Sequence, residues 1–431
     1  MGRYLNSSTS YVLYKNETMK PYFVDKTKLL SELFPFLEVG NTHICITRPR
    51  RFGKTMIANM IASFLGKRKS ENGLFESLNI SQNKEYIKYK NQYDVIFIDF
   101  SKMPRECHSY REYIDRIEEN LIRDLKKAYP DIEIYEGDSA ADVLETIFEE
   151  YDEQRFIFVF DEWDFIFHKD FIKEEDKKQY ILFLSNLLKD RPYVIMTYMT
   201  GILPIKKYGT HSALNMFDEF SMINPGPLAC YVGFTEKEVE KLCKQYGMDM
   251  EEVKNWYDGY SFDGVPSVYS PRSVVNSMRF QKISNYWNQT ETFEALQVYI
   301  DMNFEHLKDD VLSMIAGESV AVNTESFTND METFRTEDDV LTLLIHLGYL
   351  AYVDKTKTVK IPNSEIRAEY VNTVSVSDWG SVSKALKDSA DTLNAIWQGR
   401  EEQVSKAIEQ AHFETSHIQY NDENALSYTI S

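Results

Sequence analysis

The chain has 431 residues and a formal net charge of −20. At roughly 150 residues per domain this length predicts two or three domains, and a hydrophobic fraction of 43% supports a globular core and excludes disorder as the default. The strong acidity disfavours non-specific binding of nucleic acid or anionic lipid, and no apolar run approaches the roughly 20 residues of a membrane span.

Strand and helix patterns alternate through the first half of the chain. Apolar runs predict strands over 42–47, 93–101, 155–164 and 192–201. Helical periodicity predicts helices over 54–65, 109–128, 139–151 and 175–189. The strand segments are continuous apolar runs, which is typical of strands buried on both faces of a parallel sheet. The alternation therefore predicts an α/β fold with a parallel sheet flanked by helices.

The pattern changes after Gly233. Thr235 and Glu238 form a capping-box pair that predicts a helix over 234–248. An aromatic stretch with Asp-Gly turn signals follows, and residues 290–320 have a helical period. Residues 337–363 predict helix, strand, turn and strand, a winged-helix-like unit, and the remaining sequence is helical and polar. We therefore expect a mostly helical C-terminal region.

The segment 48-RPRRFGKT-55 follows a predicted strand and opens a predicted helix, which is the context of a Walker A phosphate loop. Lys54 is expected to reach the β- and γ-phosphate oxygens, and the Thr55 hydroxyl to ligate Mg²⁺. Gly53 leaves room for close backbone approach. The nucleotide-contacting residues of the loop are expected to be Arg50, Arg51, Phe52, Gly53, Lys54, Thr55 and Met56.

Arg48 stands where the usual Walker A pattern begins with glycine. With Arg50 and Arg51 it makes the loop basic within an acidic protein. Two interpretations stay open for these arginines: neutralisation of phosphate charge, or surface solubility.

A second motif, 156-FIFVFDEWD-164, is an apolar strand that ends in acids, as in a Walker B motif. Asp161 is expected to hold Mg²⁺, directly or through water, and Glu162 to polarise the attacking water. Thr200 ends the fourth strand and is interpreted either as a γ-phosphate sensor or as part of a plain turn. The carboxyl ends of parallel strands share one edge of a sheet, so both motifs are expected there.

Several longer segments resemble the predicted AAA-ATPase-like family of bacterial P-loop NTPases. They are ITRPRRFGKT, FVDKT, FDEWD, MTGILPIKKYGTHSALNMFDEFSM, WYDGYSF, VYSPRSVVN and IPNSEIRAEY. The resemblance covers roughly residues 10 to 370, and the missing first glycine is itself a trait of the family. It implies Mg²⁺-dependent ATP binding and hydrolysis, with Lys54 and Thr55 as the Walker A pair and Asp161 and Glu162 as the Walker B pair.

These motifs divide the sequence into three expected domains. Residues 1–232 are expected to form the P-loop ATPase domain, 233–330 a helical lid region, and 331–431 the winged-helix-like and C-terminal helical region. Many relatives continue into a nuclease-like domain of the PD-(D/E)XK type. The segment NDENALSYTIS resembles the first helix of such a domain, but no metal-binding D…(E/D)-x-K arrangement follows it. We expect that module to be absent or truncated.

Three functional hypotheses follow. The first is an ATPase that uses ATP and Mg²⁺ to drive conformational change in its C-terminal helical region. The second is a nucleotide-dependent switch or scaffold that does not hydrolyse ATP, and the third is a DNA-associated ATPase of mobile-element or defence systems. The expected partners are ATP and an unidentified protein; DNA stays open but is disfavoured by charge, and an oligomer is compatible with the sequence. With no secretion signal and no membrane segment, we expect a cytoplasmic protein.

Overall fold

The structure is a computed structural model. It describes residues 2–68, 73–104, 106–205, 213–262, 264–287, 293–302, 304, 306–327, 334–376, 389, 391–393 and 395–414.

A five-stranded parallel sheet forms the centre of the first half of the chain, with the strand order β2-β3-β4-β1-β5. The strands are β1 (Thr42–Thr47), β2 (Asp94–Asp99), β3 (Phe156–Asp161), β4 (Val194–Gly201) and β5 (Asp218–Phe220). The first four confirm the predicted strands, whereas β5 has only three residues and gave no clear sequence signal. This order places β4 between β1 and β3, so the end of β4 lies between the two predicted motifs.

Helices cover both faces of this sheet. They are α1 (Ser8–Thr18), α2 (Leu29–Val39), α3 (Lys54–Leu65), the short α4 (Tyr86–Tyr89), α5 (Tyr110–Ala128), α6 (Ala140–Glu150) and α7 (Glu174–Leu188). The apolar faces of α5, α6 and α7 form one core with side chains of β2 and β3, such as Ile96 and Phe158. The helix α3 packs against α1 and against β2, β3 and β4. The predicted fold, a parallel sheet flanked by helices, is confirmed.

The aromatic stretch after Gly233 forms a small antiparallel sheet, ordered β6-β8-β7, with helices beside it. Its elements are β6 (Phe234–Thr235), α8 (Glu236–Tyr246), α9 (Met250–Tyr257), β7 (Tyr260–Phe262), β8 (Val265–Tyr269) and α10 (Pro271–Phe280). The predicted capping box of Thr235 and Glu238 is present at the start of α8. Apolar residues of β6, β8 and the three helices share one buried cluster.

The remaining elements are mostly helical. They are α11 (Phe293–Ile300), α12 (Leu307–Ala316), β9 (Val320–Ala321), α13 (Glu337–Leu347), β10 (Ala351–Val353), β11 (Thr358–Lys360), α14 (Ser364–Val376) and α15 (Glu401–Glu414). The predicted order of helix, strand, turn and strand is present as α13, β10 and β11, and β9 pairs with β11 as a third strand. No helix within the described ranges is both long and apolar enough to cross a bilayer.

The chain divides into two compact units. One comprises Met1–Tyr286 and Phe304–Glu365, and the other Trp287–Asn303 and Ile366–Ser431. These limits differ from the three domains expected from the sequence, because β6 to β8 and α13 belong to the same unit as the large sheet. The functional division into three domains stays a prediction. The segment 421–431, which resembles the first helix of a nuclease-like domain, lies outside the described residues.

Candidate functional site

The loop between β1 and α3 bends sharply and leaves open space at its tip. Arg51 and Gly53 both have left-handed backbones, with φ of 68° and 93°. Gly53 caps α3 without any side-chain hydrogen bond, and a Cβ placed on it would meet no atom within 4 Å. The first-turn N–H groups of α3 have no partner within the helix, so they face this space as donors for an anion.

Lys54 is buried, with 4% of its surface exposed. Its Nζ donates to the carbonyl oxygens of Arg48 and Pro49, at 2.9 and 3.0 Å. Burial lowers the pKa of Lys54, and the carboxylates of Glu162 and Asp164 act in the opposite direction. The ammonium group therefore lies near the acids of the β3 edge, and a bound phosphate would replace two carbonyl acceptors that the loop now supplies.

Asp161 ends β3 and is 1% exposed. Its Oδ1 accepts a hydrogen bond of 2.5 Å from Thr200 Oγ1, and the sheet places Thr200 beside Ile46 at the end of β1. Burial raises the pKa of Asp161, and the nearby hydroxyls of Thr200 and Thr55 lower it. Among the described residues, Oδ2 of Asp161 is buried and accepts no hydrogen bond. A buried carboxylate oxygen in that state, close to the Thr55 hydroxyl, fits the oxygen ligands that Mg²⁺ prefers.

Glu162 follows Asp161 in a left-handed conformation with φ of 54°, which is uncommon for a residue with a side chain. It is half-buried, and burial raises the pKa of its carboxyl group. The positive charges of Lys54 and of Arg50, which is exposed at the loop, lower the pKa of Glu162. Its carboxylate therefore lies between the basic residues of the loop and the acids at the end of β3.

Two other side chains of the loop point away from the open space. Arg48 is fully buried and donates through Nη1 to the carbonyls of Thr47 and Phe220, at 2.8 and 3.1 Å. Its guanidinium lies 5.0 Å from the centre of the Phe262 ring. Arg48 thus fits neither of the two interpretations from the sequence, because it is inside the protein and bound to backbone oxygens.

Phe52 is also buried, and its ring meets the edge of Tyr260 with 5.4 Å between ring centres. Its side chain therefore supports the loop from inside the protein. No signal in the sequence identifies Tyr260 and Phe262 as supports of the loop. Both lie on β7, about 200 residues further along the chain, and their aromatic types signal only a buried position.

The structure brings together most of the residues expected at the site. Those that converge at the carboxyl edge of β1, β3 and β4 are Arg50, Gly53, Lys54, Thr55, Asp161, Glu162 and Thr200. Met56 lies half-buried in the first turn of α3. Asp99 is the neighbour of Asp161 in the sheet, but its Oδ1 accepts from the backbone and hydroxyl of Ser101, which is the hydrogen bonding of a turn.

A parallel α/β sheet with a lysine- and threonine-bearing loop after β1 and a buried aspartate at the end of β3 defines the P-loop class of proteins. Residues 14–210 match the family model described as "Predicted AAA-ATPase". This match confirms, over that part of the chain, the resemblance to the AAA-ATPase-like family seen in the sequence.

The chain is 25% identical over 279 residues to the "Uncharacterized protein in vnfD 5'region" of Azotobacter chroococcum mcd 1. That alignment covers 63% of this chain but only 51% of the relative, so the chain matches about half of that protein's length. Among solved structures, the Walker-type ATPase PABY2304 of Pyrococcus abyssi has 15% identity and a TM-score of 0.39, with 80% of this chain and 94% of that chain covered. The Aeropyrum pernix ORC2 protein has 11% identity and a TM-score of 0.32, with 81% and 92% covered.

Proposed function

We propose that the chain binds ATP with Mg²⁺, hydrolyses it to ADP and phosphate, and passes the resulting conformational change to the regions that follow the large sheet. One observation carries this proposal: a buried lysine, a threonine, a buried aspartate and a glutamate converge at the carboxyl edge of β1, β3 and β4. Ligands bind at this edge in open α/β sheets.

Each side chain has a distinct role in this proposal. Lys54 and the first-turn N–H groups of α3 bind the β- and γ-phosphates. Thr55 and Oδ2 of Asp161 hold Mg²⁺, which supplies positive charge against the phosphate oxygens. Glu162 accepts the proton of the water whose oxygen bonds to the γ-phosphorus, while the bond from that phosphorus to the bridging oxygen of ADP breaks. Thr200 keeps Asp161 in place through its hydrogen bond.

Contacts of the loop outside the large sheet support the proposed coupling. Phe52 packs against Tyr260, and the hydroxyl of Tyr260 donates to the carbonyl of Gly348 at the end of α13. A change in the loop on binding or losing phosphate would therefore act on β7 first, and through it on α13. We infer that these elements receive the nucleotide-dependent change.

The binding part of the proposal is tested with Lys54→Ala. We expect calorimetry to show that this variant loses tight binding of ATP with Mg²⁺. The matched control is Lys67→Ala, because Lys67 pairs with Asp94 at the opposite end of β2, with 2.6 Å between Nζ and Oδ2. Unchanged ATP affinity in the Lys54 variant would refute the assignment of the phosphate loop.

The hydrolysis part is tested with Glu162→Gln. We expect ATP binding to persist while turnover falls by on the order of 10²-fold or more, the scale for losing a general base. Glu153→Gln is the control, because Glu153 also has a left-handed backbone, with φ of 54°, but precedes β3 instead of following it. If the parent protein binds ATP tightly without single-turnover hydrolysis, the alternative of a non-hydrolysing switch replaces the ATPase.

A further inference from the structure

Asp164 is a buried carboxylate that joins the ends of two strands. It lies three residues after the end of β3 and is 1% exposed. Its Oδ2 accepts hydrogen bonds from the backbone N–H groups of Ile202 and Leu203, each at 2.8 Å. These two residues directly follow β4. One side chain thus ties the segment after Glu162 to the segment after Thr200.

The neighbouring Trp163 adds two further bonds between the same segments. Its backbone N–H donates to the carbonyl of Thr200 at 2.9 Å, and its Nε1 donates to the carbonyl of Leu203 at 3.2 Å. Gly201 permits this close approach, because a Cβ there would lie 2.4 Å from Cδ1 of Trp163 and 2.7 Å from Oδ1 of Asp164. Four hydrogen bonds of Trp163 and Asp164 to residues 200–203 therefore join the turns after β3 and β4.

The joined turns contain Glu162 and Thr200, and the proposed reaction needs these two residues in fixed positions relative to each other. Glu162 keeps a left-handed backbone between Asp161 and Trp163, and such a conformation persists only where the surroundings determine it. Thr200 holds Asp161 from the neighbouring strand. The negative charge of Asp164 also raises the pKa of Glu162, in addition to the larger effect of burial.

We propose that Asp164 is a positioning residue for ATP hydrolysis: its two hydrogen bonds to the backbone after β4 fix Glu162 and Thr200 relative to each other. The inference rests on the proposed function and deepens it. Asp164 touches neither nucleotide nor attacking water in this role, and it acts through Glu162. A positioning role predicts loss of the chemical rate with ATP affinity retained, whereas a merely structural role predicts loss of stability alone.

Glu219 supplies a matched control for loss of a buried carboxylate. It lies on β5, is 7% exposed, and its Oε1 accepts the backbone N–H of Ile205 at 2.8 Å. Like Asp164, it binds backbone just beyond β4. Unlike Asp164, it lies on β5 and not in the segment after β3 that contains Glu162. Glu219→Gln therefore reports the effect of neutralising such a group without disturbing the turn after β3.

The experiment compares the parent, Asp164→Asn and Glu219→Gln by denaturant unfolding, by calorimetry with ATP and Mg²⁺, and by single-turnover hydrolysis. Misplacement of a reacting group by about 1 Å costs on the order of 10²-fold in rate, and we expect a loss approaching that scale for Asp164→Asn. Its dissociation constant for ATP should stay within about threefold of the parent value, a change of less than 1 kcal/mol. Glu219→Gln should lose stability and keep the parental rate.

A second variant covers the case in which Asp164→Asn does not fold. Trp163→Phe removes the bond from Nε1 to Leu203 together with part of a fully buried ring system, and it keeps an aromatic ring in place. It should show a smaller loss of rate with retained affinity. An Asp164→Asn protein at the parental rate, or a Trp163→Phe protein at the parental rate when the first variant is unfolded, overturns the positioning role alone. A parent that binds ATP without turnover refutes the proposed hydrolysis and the positioning role together.

Discussion

The loop of residues 48–53 and the acidic segment 161–164 lie at the same edge of the sheet, but different contacts hold them there. The acidic segment is fixed from within the sheet, by the bonds of Thr200 and Asp164 between β3 and β4. The loop is bonded to the sheet at its first residue, where Arg48 donates to Thr47 and Phe220, and the rest of its packing comes from outside the sheet, because Arg48 and Phe52 contact Phe262 and Tyr260 of β7.

This difference indicates which half of the site responds to the rest of the protein. Bonds between adjacent strands of a buried sheet change little unless the sheet itself opens. A loop held by aromatic packing against a separate small sheet moves with that sheet. We therefore expect changes in β7 or α13 to alter nucleotide affinity, and changes between β3 and β4 to alter the rate of hydrolysis.

The largest expected effect comes from removing the main packing contact of the loop. Phe52→Ala deletes a buried ring and should lower the free energy of unfolding by about 3–5 kcal/mol. It should also weaken ATP binding, because the loop loses its contact with Tyr260. Denaturant unfolding and calorimetry measure the two effects, with Phe280→Ala as control at a ring that is 54% exposed. Parental affinity in the Phe52 variant would show that β7 does not shape the loop.

A pair of glycine substitutions contrasts the two halves of the site directly. In Gly201→Ala the new Cβ would collide with Trp163, so we expect a loss of about 3 kcal/mol of stability and slower hydrolysis. In Gly53→Ala the space is open and only the left-handed backbone is strained, which costs about 1–2 kcal/mol and weakens ATP binding. Denaturant unfolding, calorimetry with ATP and single-turnover hydrolysis are measured for both variants. The comparison of the two halves of the site would be contradicted if Gly201→Ala weakened ATP binding and Gly53→Ala slowed hydrolysis instead.

Two buried histidines, one on β1 and one on α13, make the stability of the protein depend on pH. Burial lowers the pKa of His43 on β1 to about 4, and burial with the nearby charge of Arg48 lowers that of His346 on α13 to about 3. The unfolded chain binds a proton at each below pH of about 6.5, while the folded protein does not. Each histidine should therefore cost about 2 kcal/mol of stability as pH falls from 7 to 5.

The measurement is the unfolding free energy of His43→Gln and His346→Gln between pH 5 and pH 7, with the exposed His108→Gln as control. The His43 and His346 variants should each lose less stability than the parent as the pH falls from 7 to 5. If the His43 and His346 variants keep the parental slope, these imidazoles are not held neutral by the fold.

The smallest expected effect lies at the contact between β7 and α13. Tyr260→Phe keeps the ring that Phe52 meets but removes the hydroxyl that donates to Gly348. We expect a loss of about 1 kcal/mol from the unpaired carbonyl and a small decrease in ATP affinity. Tyr286→Phe is the matched control, since the Tyr286 hydroxyl also donates to a backbone carbonyl, that of Lys282 at 2.9 Å. An equal change of affinity in both variants would remove α13 from the proposed coupling.

Much of the site could be predicted because its signals are local. Lys54 and Thr55 begin a helix directly after an apolar strand, and Asp161 and Glu162 end another, so the motif and its context are contiguous in the sequence. The position of Arg48 differs from both expectations for the opposite reason, because its contacts are not local. Its type and its basic neighbours indicate a surface or a phosphate contact, and its burial depends on two residues far along the chain, the carbonyl of Phe220 and the ring of Phe262.

Local signals in the sequence were enough to predict the four long strands, the helices between them and the two motifs at 48–55 and 156–164. Apolar runs, helical periodicity and caps act within a few residues of each other and need no distant partner. Three features follow only from the folded structure: β4 lies between β1 and β3, β7 supports the loop, and Asp164 accepts hydrogen bonds from residues beyond β4. These features depend on pairings between residues far apart in the chain, and such pairings are selected by packing of the whole fold and not by local preference.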